Sequence, residues 1–470
     1  MALKEHGQEA ASTVQEQAQP RQEAWQRMAE AIEQQANQVE DTQEQTPTDW
    51  AQQMGLNDAQ AENLAKAIEQ QLIAWRRDIH QHPELSGQEV RTARLVADHL
   101  KQLGLEVKTG VGGTGVVGLL KGDLPGKVVA LRADMDALPV KELVDLPFAS
   151  KAKGKHMGKE VDVMHACGHD GHTAILMATA EVLAGMKSQL RGSVKFIFQP
   201  AEEGPSEAPH SEDEHIGALA MVDAGVLENP KVDAVFGLHL IPAFPVGTIG
   251  YRSGAILASG DTFTVKVSGK QTHGGFPWNG IDPIVSTAQI VMGLQTIVSR
   301  QMNISKEPVV VSIGSIHGGN RENIIPDSVE LLGTVRAFDD RMRDDTLARM
   351  RTTAESIAQA SGAKAELKFA KPGYSATVND ENLTARMLPT LQQVTGGKAV
   401  VAPKLSASED FSEFQKKVPG VFFFLGSTDP KRDLKTAAPN HSPKFEIDEA
   451  SLAVGARAMT ALALDYLGQP

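Results

Sequence analysis

The sequence predicts an α/β protein with a mostly parallel central sheet, helices on both of its faces, and a second compact domain inserted in it. Three observations carry this. Short apolar β-runs alternate with helical segments over most of the chain, the pattern of a parallel sheet covered by helices. Acids and histidines collect where those β-runs end, and α/β sheets place their sites at the carboxyl ends of strands. Between about 256 and 370 the order changes to β-α-β-β-α-β, a ferredoxin-like split unit. The length of 470 residues also favours two cores, because a single one stops growing at about 250–300 residues.

Residues 1–66 are rich in Gln, Glu and Ala and poor in apolar residues, which predicts a helical or disordered extension with no core of its own. A first α/β portion spans 67–255. AKAIEQQLIAWRRDIHQHPELSG reads as an amphipathic helix stopped by Pro83 and Gly87, and TARLVADHLKQLGLEV as a second helix ending at Gly104. KVVALRADMDALPV is a β-run entering an Asp-rich loop, and TAILMATAEVLAGM is a helix. GSVKFIFQPAEEG is a strand running into Pro200 and paired acids, and DAVFGLHL is another strand. In the insert, DTFTVKVSG, PVVVSIGSIHGG, SVELLGTVRAF and AKAELKFA are strands, with helices at PIVSTAQIVMGLQTIVSRQ and RMRDDTLARMRTTAESIAQASG. The α/β texture resumes over 371–470.

Composition narrows the function classes. Hydrophobic content of 41% and charged content of 22% are ordinary for a globular protein. A net charge of −13 argues against a nucleic-acid surface, which needs a basic stripe to neutralise phosphates. No apolar run approaches the roughly 18–20 residues of a membrane span. The opening MALKEHGQEAAS lacks the apolar stretch of a secretory signal, so a cytoplasmic protein is expected, or a periplasmic or secreted one if a signal has been removed. One cysteine excludes an intramolecular disulfide.

That cysteine sits in HACGHDGHTA, residues 165–174, among three of the fourteen histidines. A thiolate and a nearby imidazole are good ligands for zinc and other borderline divalent ions, and Cys167 and His169 can reach one centre from a single loop. A lone Cys is more often a small buried hydrophobe, but the density of His, Asp and Gly here weighs against that. QPAEEG places Glu202 and Glu203 directly after a β-run, where adjacent carboxylates can point in different directions. Taken alone, such a pair is usually a solvated acidic turn. His239 lies in an apolar strand, where a satisfied core histidine is the commoner case, and His441 precedes Ser442 and Pro443 in a loop. Together they supply one thiolate, at least one carboxylate and three imidazoles. One tetrahedral zinc needs fewer; two ions about 3.5–4 Å apart and sharing a ligand suit such a set.

From about 68 to 468 the chain resembles the dinuclear metallo-amidohydrolases related to hippurate hydrolase, N-acyl-amino-acid hydrolase and indole-acetyl-amino-acid hydrolase. RRDIHQHPELSGQE, LRADMDALPV, HACGHDGHTA, FQPAEEG, GLHL, THGGFPWNGIDPI, NIIPDSV and NHSPKFEID occur in the family's order. The resemblance implies a zinc-peptidase-like catalytic domain with the insert as lid and dimerisation domain. It implies Cys167, His169, Glu203, His239 and His441 as ligands of two divalent ions (zinc, manganese, cobalt or nickel), with Cys167 bridging. It implies Glu202 as general base and Asp136 as a carboxylate that orients a ligand. His165 and His172 match no ligand position. His273, in QTHGG, corresponds to a histidine brought to the substrate carbonyl, sometimes from a neighbouring subunit, and Asn323 to a substrate-contacting position.

The activity so implied is hydrolysis of the amide bond of N-acyl amino acids, and the expected partners are such small molecules or short peptides. A homodimer or higher homo-oligomer would form through the insert. Three rivals stay open: Cys167 as a nucleophile activated by His169, a metal-dependent binding protein on the same scaffold, and a dipeptidase or carboxypeptidase acting on unblocked peptides. The chain departs from many relatives at PSEAPHSEDEHIGA, where they run through glycines. His210 and His215 there are expected to lie in a solvated loop, next to a position that can influence substrate choice.

Overall fold

A computed structural model describes residues 58–207, 214–370 and 373–468. Residues 1–57 of the extension expected over 1–66, and His210, lie outside the described residues, while 58–66 already belong to the first helix. In chain order, helices α1 (Asp58–Gln81) and α2 (Val90–Gln102) precede strands β1 (Glu106–Val111), β2 (Gly115–Lys121) and β3 (Leu124–Asp134). Helix α3 (His169–Gly185), β4 (Arg191–Gln199), β5 (Ala234–Pro245) and β6 (Ile249–Tyr251) follow. Next come β7 (Asp261–Ser268), α4 (Pro283–Thr296), β8 (Val309–Gly318), β9 (Ser328–Ala337), α5 (Asp340–Ala360) and β10 (Lys364–Phe369). The last elements are α6 (Glu381–Val394), β11 (Ala399–Val401), β12 (Gly420–Thr428) and α7 (Ala450–Gly468).

The eight-stranded central sheet has the order β1-β2-β4-β3-β5-β12-β6-β11. Its middle is parallel: β4 with β3, β3 with β5, and β5 with β12. Antiparallel pairing is confined to β1 with β2, β2 with β4, and β12 with β6. A hairpin needs only a short turn, so the tight VGGTG connection between β1 and β2 closes that edge without a crossover helix. Every residue of β12 is buried, as expected of a strand covered on both faces. One face packs Leu72, Val96, Leu176, Phe196, Leu238 and Leu462 together. The other packs Ile197, Phe244, Phe411, Phe414, Phe422 and Phe424.

Helix α1 ends at Gln81, two residues before Pro83, which cannot continue a helix, and α2 gives way to Gly104 at φ 78°. Helix α3 is buried nearly all round and runs through the core, so it shows no amphipathic stripe. The elements of residues 261–369 form a separate antiparallel sheet of order β8-β9-β7-β10 carrying α4 and α5. Its core joins Phe263, Ile290, Leu294, Leu331, Val335 and Met350. Strands Gly254–Leu257 and Thr377–Asn379, before and after it in the chain, pair antiparallel.

Candidate functional site

Three parallel strands deliver the site. β3 runs into Asp134 and Asp136, β4 into Glu202 and Glu203, and β5 carries His239. Cys167 and His169 flank the start of α3. Gly168 between them has φ 95°, and a Cβ there would lie 3.3 Å from Leu240 Cβ, so both conformation and space favour glycine. His441 arrives from the loop before α7, with its backbone N–H on the Ala166 carbonyl at 2.7 Å.

Cys167 is the meeting point. Its Sγ lies 3.3 Å from His239 Nε2 and 3.2 Å from His441 Nε2. One group of mutually close ligand atoms is Cys167, His169 and His239, and a second is Cys167, Glu203 and His441. All five residues proposed from the sequence as ligands are thus in one place, around a shared thiol. Glu203 Oε1 is 3.1 Å from His441 Nε2 and 3.9 Å from His169 Nε2. Glu202 stands beside them: its Oε2 is 4.0 Å from His169 Nε2, and its carboxylate groups both with His169 and Glu203 and with Glu409 and Asp410, without reaching Cys167.

The chemistry of these donors fits divalent cations. The Nδ1 of His239 lies 2.8 Å from the Leu240 carbonyl and the Nδ1 of His169 2.9 Å from the Asp136 carbonyl. In each ring Nδ1 therefore donates to a carbonyl and Nε2 faces the cluster. Burial works to lower His169, but Asp134, Asp136 and Glu203 outweigh it and raise the imidazole to about 10, so a cation binding there would take the place of the Nε2 proton. His169 Nε2 is buried without a hydrogen-bond partner. Burial holds His239 well below the usual imidazole range, in its neutral, ligating form. Burial, then the Glu203 and Glu202 carboxylates, push the Cys167 thiol well up, and burial with Glu409 and Glu203 does the same to Glu202. Burial also works to raise Glu203, but His441 and His169 outweigh it and hold that carboxyl below its usual range. An anion-rich pocket that disfavours a bare thiolate is a poor setting for a cysteine nucleophile and a good one for cations.

The supporting residues are as ordered as the cluster. Asp136 takes the Glu203 N–H at 3.0 Å and the Ser86 hydroxyl at 2.7 Å, and its Oδ1 is 3.2 Å from His169 Nδ1. His172 joins Asp134 at 2.6 Å and accepts the Leu240 N–H at 2.8 Å, a bracing position. His165 is buried with both ring nitrogens unpartnered, and burial lowers it to about 3.

Among the participants that escaped the sequence reading, four stand nearest the two glutamates. Glu89, buried at the start of α2, accepts the Ala201 N–H at 2.9 Å. Tyr374 donates to the Glu202 carbonyl at 2.7 Å. Glu409 and Asp410 share the buried Arg132 guanidinium, at 2.9 and 3.1 Å. Only Glu89 carried a signal, as the last residue of PELSGQE.

His273 and Asn323 lie together, in neither of the two ligand groups around Cys167. His273 pairs with Ile324 in a two-stranded ladder, and the Asn323 carbonyl accepts the Gly274 N–H at 2.7 Å. His273 is exposed, and its Nδ1 accepts the Gly275 N–H at 3.0 Å. His215 is exposed and paired with Asp223.

Residues 130–465 match the model of peptidase family M20/M25/M40. The chain belongs to this family. It is 42% identical over 405 residues to thermostable carboxypeptidase 2 of Saccharolobus solfataricus, covering 86% of this chain and 97% of that protein. It is 40% identical over 403 residues to the N-acetylcysteine deacetylase of Bacillus subtilis, covering 86% and 98%. Among solved structures it resembles a dinuclear metal binding peptidase of the M20 family from Bacillus subtilis, with a TM-score of 0.70, 37% identity, and 86% and 100% coverage. This member of the M20/M25/M40 family is a hydrolase, of the class of metal-dependent amidohydrolases and carboxypeptidases. Among the described residues no helix is long and apolar enough to cross a membrane.

Proposed function

We propose that the chain hydrolyses the amide bond of N-acyl amino acids at a two-ion centre, with Glu202 as general base. The observation that carries this is the shared position of Cys167, within ligating reach of both the His169–His239 pair and the Glu203–His441 pair. The thiolate and imidazole donors suit zinc, manganese, cobalt or nickel. Divalent ions bound there supply Lewis-acid polarisation of a carbonyl and acidification of a water.

The chain's own residues do the rest. Glu202, whose carboxylate lies beside those of the ligands but does not group with Cys167, takes the proton of the attacking water and delivers it to the leaving amine. Asp136 fixes the His169 ring and the Glu203 backbone, so both point the same way in every turnover. Residues 256–370 act as a ferredoxin-like lid on a catalytic domain made of 67–255 and 371–470. Support for that division is the separate antiparallel sheet between the paired strands Gly254–Leu257 and Thr377–Asn379. His273 then stabilises the tetrahedral oxyanion and Asn323 contacts the substrate, from this subunit's lid or a neighbour's. Exposed Val310 and Ile316 on edge strand β8, with Met292 on α4, favour assembly through the lid.

The N-acyl reading is supported by the relative named N-acetylcysteine deacetylase; the relative named carboxypeptidase makes peptide substrates the competing reading. Elemental analysis and a panel of N-acyl amino acids and free dipeptides, assayed before and after chelation, test both. Metal-dependent cleavage of the acylated compounds in preference to the dipeptides is expected. Full activity in metal-free protein, or activity on free dipeptides alone, refutes the proposal.

A further inference from the structure

Ala201, between Pro200 and Glu202, has φ 53°, a left-handed conformation that costs a non-glycine residue about 1–2 kcal/mol and persists only where its surroundings enforce it. Three side chains grip three successive backbone groups here. Glu89 holds the Ala201 N–H, Tyr374 the Glu202 carbonyl, and Asp136 the Glu203 N–H. The carbonyl of Glu202 and the N–H of Glu203 belong to one planar peptide group, so fixing both ends fixes the plane from which the two side chains leave.

Two of these grips come from the first α/β portion of the chain, Glu89 at the start of α2 and Asp136 just after β3. The third does not. Tyr374 lies five residues after the end of β10, and its backbone pairs both ways with Gly260, the residue just before β7, at 2.9 Å each. Alongside, Asp261 and Arg343 form a two-pronged ion pair at 2.6 and 2.7 Å between β7 and α5. A Cβ on Gly373 would strike that pair, so the segment is packed directly against it. The Ser259 N–H bonds the Ala337 carbonyl at the end of β9, which seats the entering chain on the same domain. Gly260 on the chain entering the insert and Tyr374 on the chain leaving it thus lie side by side, and the Tyr374 phenol reaches from there to Glu202.

We infer that Tyr374 is a positioning residue that ties the hinge of the inserted domain to the peptide plane of Glu202, so that movement of the insert is felt by the base. The inference rests on the reading of Glu202 as general base and of residues 256–370 as a lid.

Tyr374→Phe removes only the hydroxyl, and Gly260→Ala strains the hinge, because the added Cβ would lie 2.6 Å from Ser408 Oγ. Both variants, their combination and Glu202→Gln are assayed on an N-acyl amino acid that the wild-type protein hydrolyses, with metal content and melting temperature recorded. In Tyr374→Phe, kcat is expected to fall roughly ten- to hundredfold, the scale of a misplaced catalytic group, with KM, metal content and melting temperature near wild type. Gly260→Ala is expected to lower kcat, and the double variant to be no worse than Tyr374→Phe, since the link is already cut.

Wild-type kcat in Tyr374→Phe, losses that multiply in the double variant, or a loss that tracks metal content overturns the tether while an inactive Glu202→Gln keeps the base assignment. An active Glu202→Gln overturns the reading beneath it, and the tether with it. Should Tyr374→Phe fail to fold, Gly260→Ala decides alone: lowered kcat at full metal content supports the tether and unchanged kcat refutes it.

Discussion

The Sγ of Cys167 and the Nε2 of His441 lie 3.2 Å apart although 274 residues separate them in the chain. Asn440 maintains that meeting. Its side-chain amide donates to the Cys167 carbonyl at 3.0 Å and to the Leu240 carbonyl at 3.2 Å, pinning the loop to both the α3 start and β5. His441 itself sits at φ 68°, a conformation the loop must enforce.

Asn440→Ala should therefore weaken metal binding by about 10- to 100-fold, the usual effect of losing a group that orients a ligand. Competition with a chelator of known affinity measures this. Wild-type metal affinity would show that Asn440 is dispensable to the placement of His441.

A buried charge cluster should dominate stability near the site. Arg132, 1% exposed, meets Asp134 at 2.6 Å, together with Glu409 and Asp410, and its Nε donates to the Gln199 side-chain Oε1 at 2.8 Å. Arg132→Met leaves three buried carboxylates without their cation, and a loss of about 3–5 kcal/mol is expected. Arg77→Ala, which breaks a half-exposed pair with Glu449, should cost only about 0–1 kcal/mol. Denaturant unfolding of both variants checks the contrast; equal losses would contradict it.

His99 should contribute to acid sensitivity. Burial holds it below the usual imidazole range, only partly offset by the Met177 carbonyl 3.2 Å from Nε2. The unfolded chain therefore takes up this proton first, at a pH of about 6.5, and folding stability falls as pH drops below that value. His99→Gln should give a shallower decline in unfolding free energy between about pH 7 and 5. Urea melts of both proteins across that range make the comparison, and parallel curves would refute the assignment.

What was legible in the sequence was local or repeated in pattern. Pro83 and Gly104 marked helix ends, β-runs marked strands, and the acids and histidines after them marked the site. The β-α-β-β-α-β order of elements was legible for the same reason, since each is a single periodic run. The strand order β1-β2-β4-β3-β5-β12-β6-β11 was not, because hydrophobic pattern says that a strand is buried but not beside which neighbour. Tyr374, Glu409 and Asp410 escaped for a related reason. Each is an ordinary residue in its own segment and gains its role only from a partner more than a hundred residues away. Glu202 and Glu203 were legible as a pair, while what holds the peptide between them, the left-handed Ala201 and the three tethers, was not.

The most direct test of the account separates those two glutamates by measuring metal content and turnover on the same samples. Glu202→Gln keeps the size of the side chain and removes the base, so the protein should retain two divalent ions per chain while turnover falls by at least about 10²-fold. Glu203→Gln replaces an anionic ligand with a neutral amide, so metal content itself should drop, with part of the rate restored by excess metal. Two variants that keep both metal and activity would contradict the account outright, and interchanged behaviour would mean that base and ligand are the other way round.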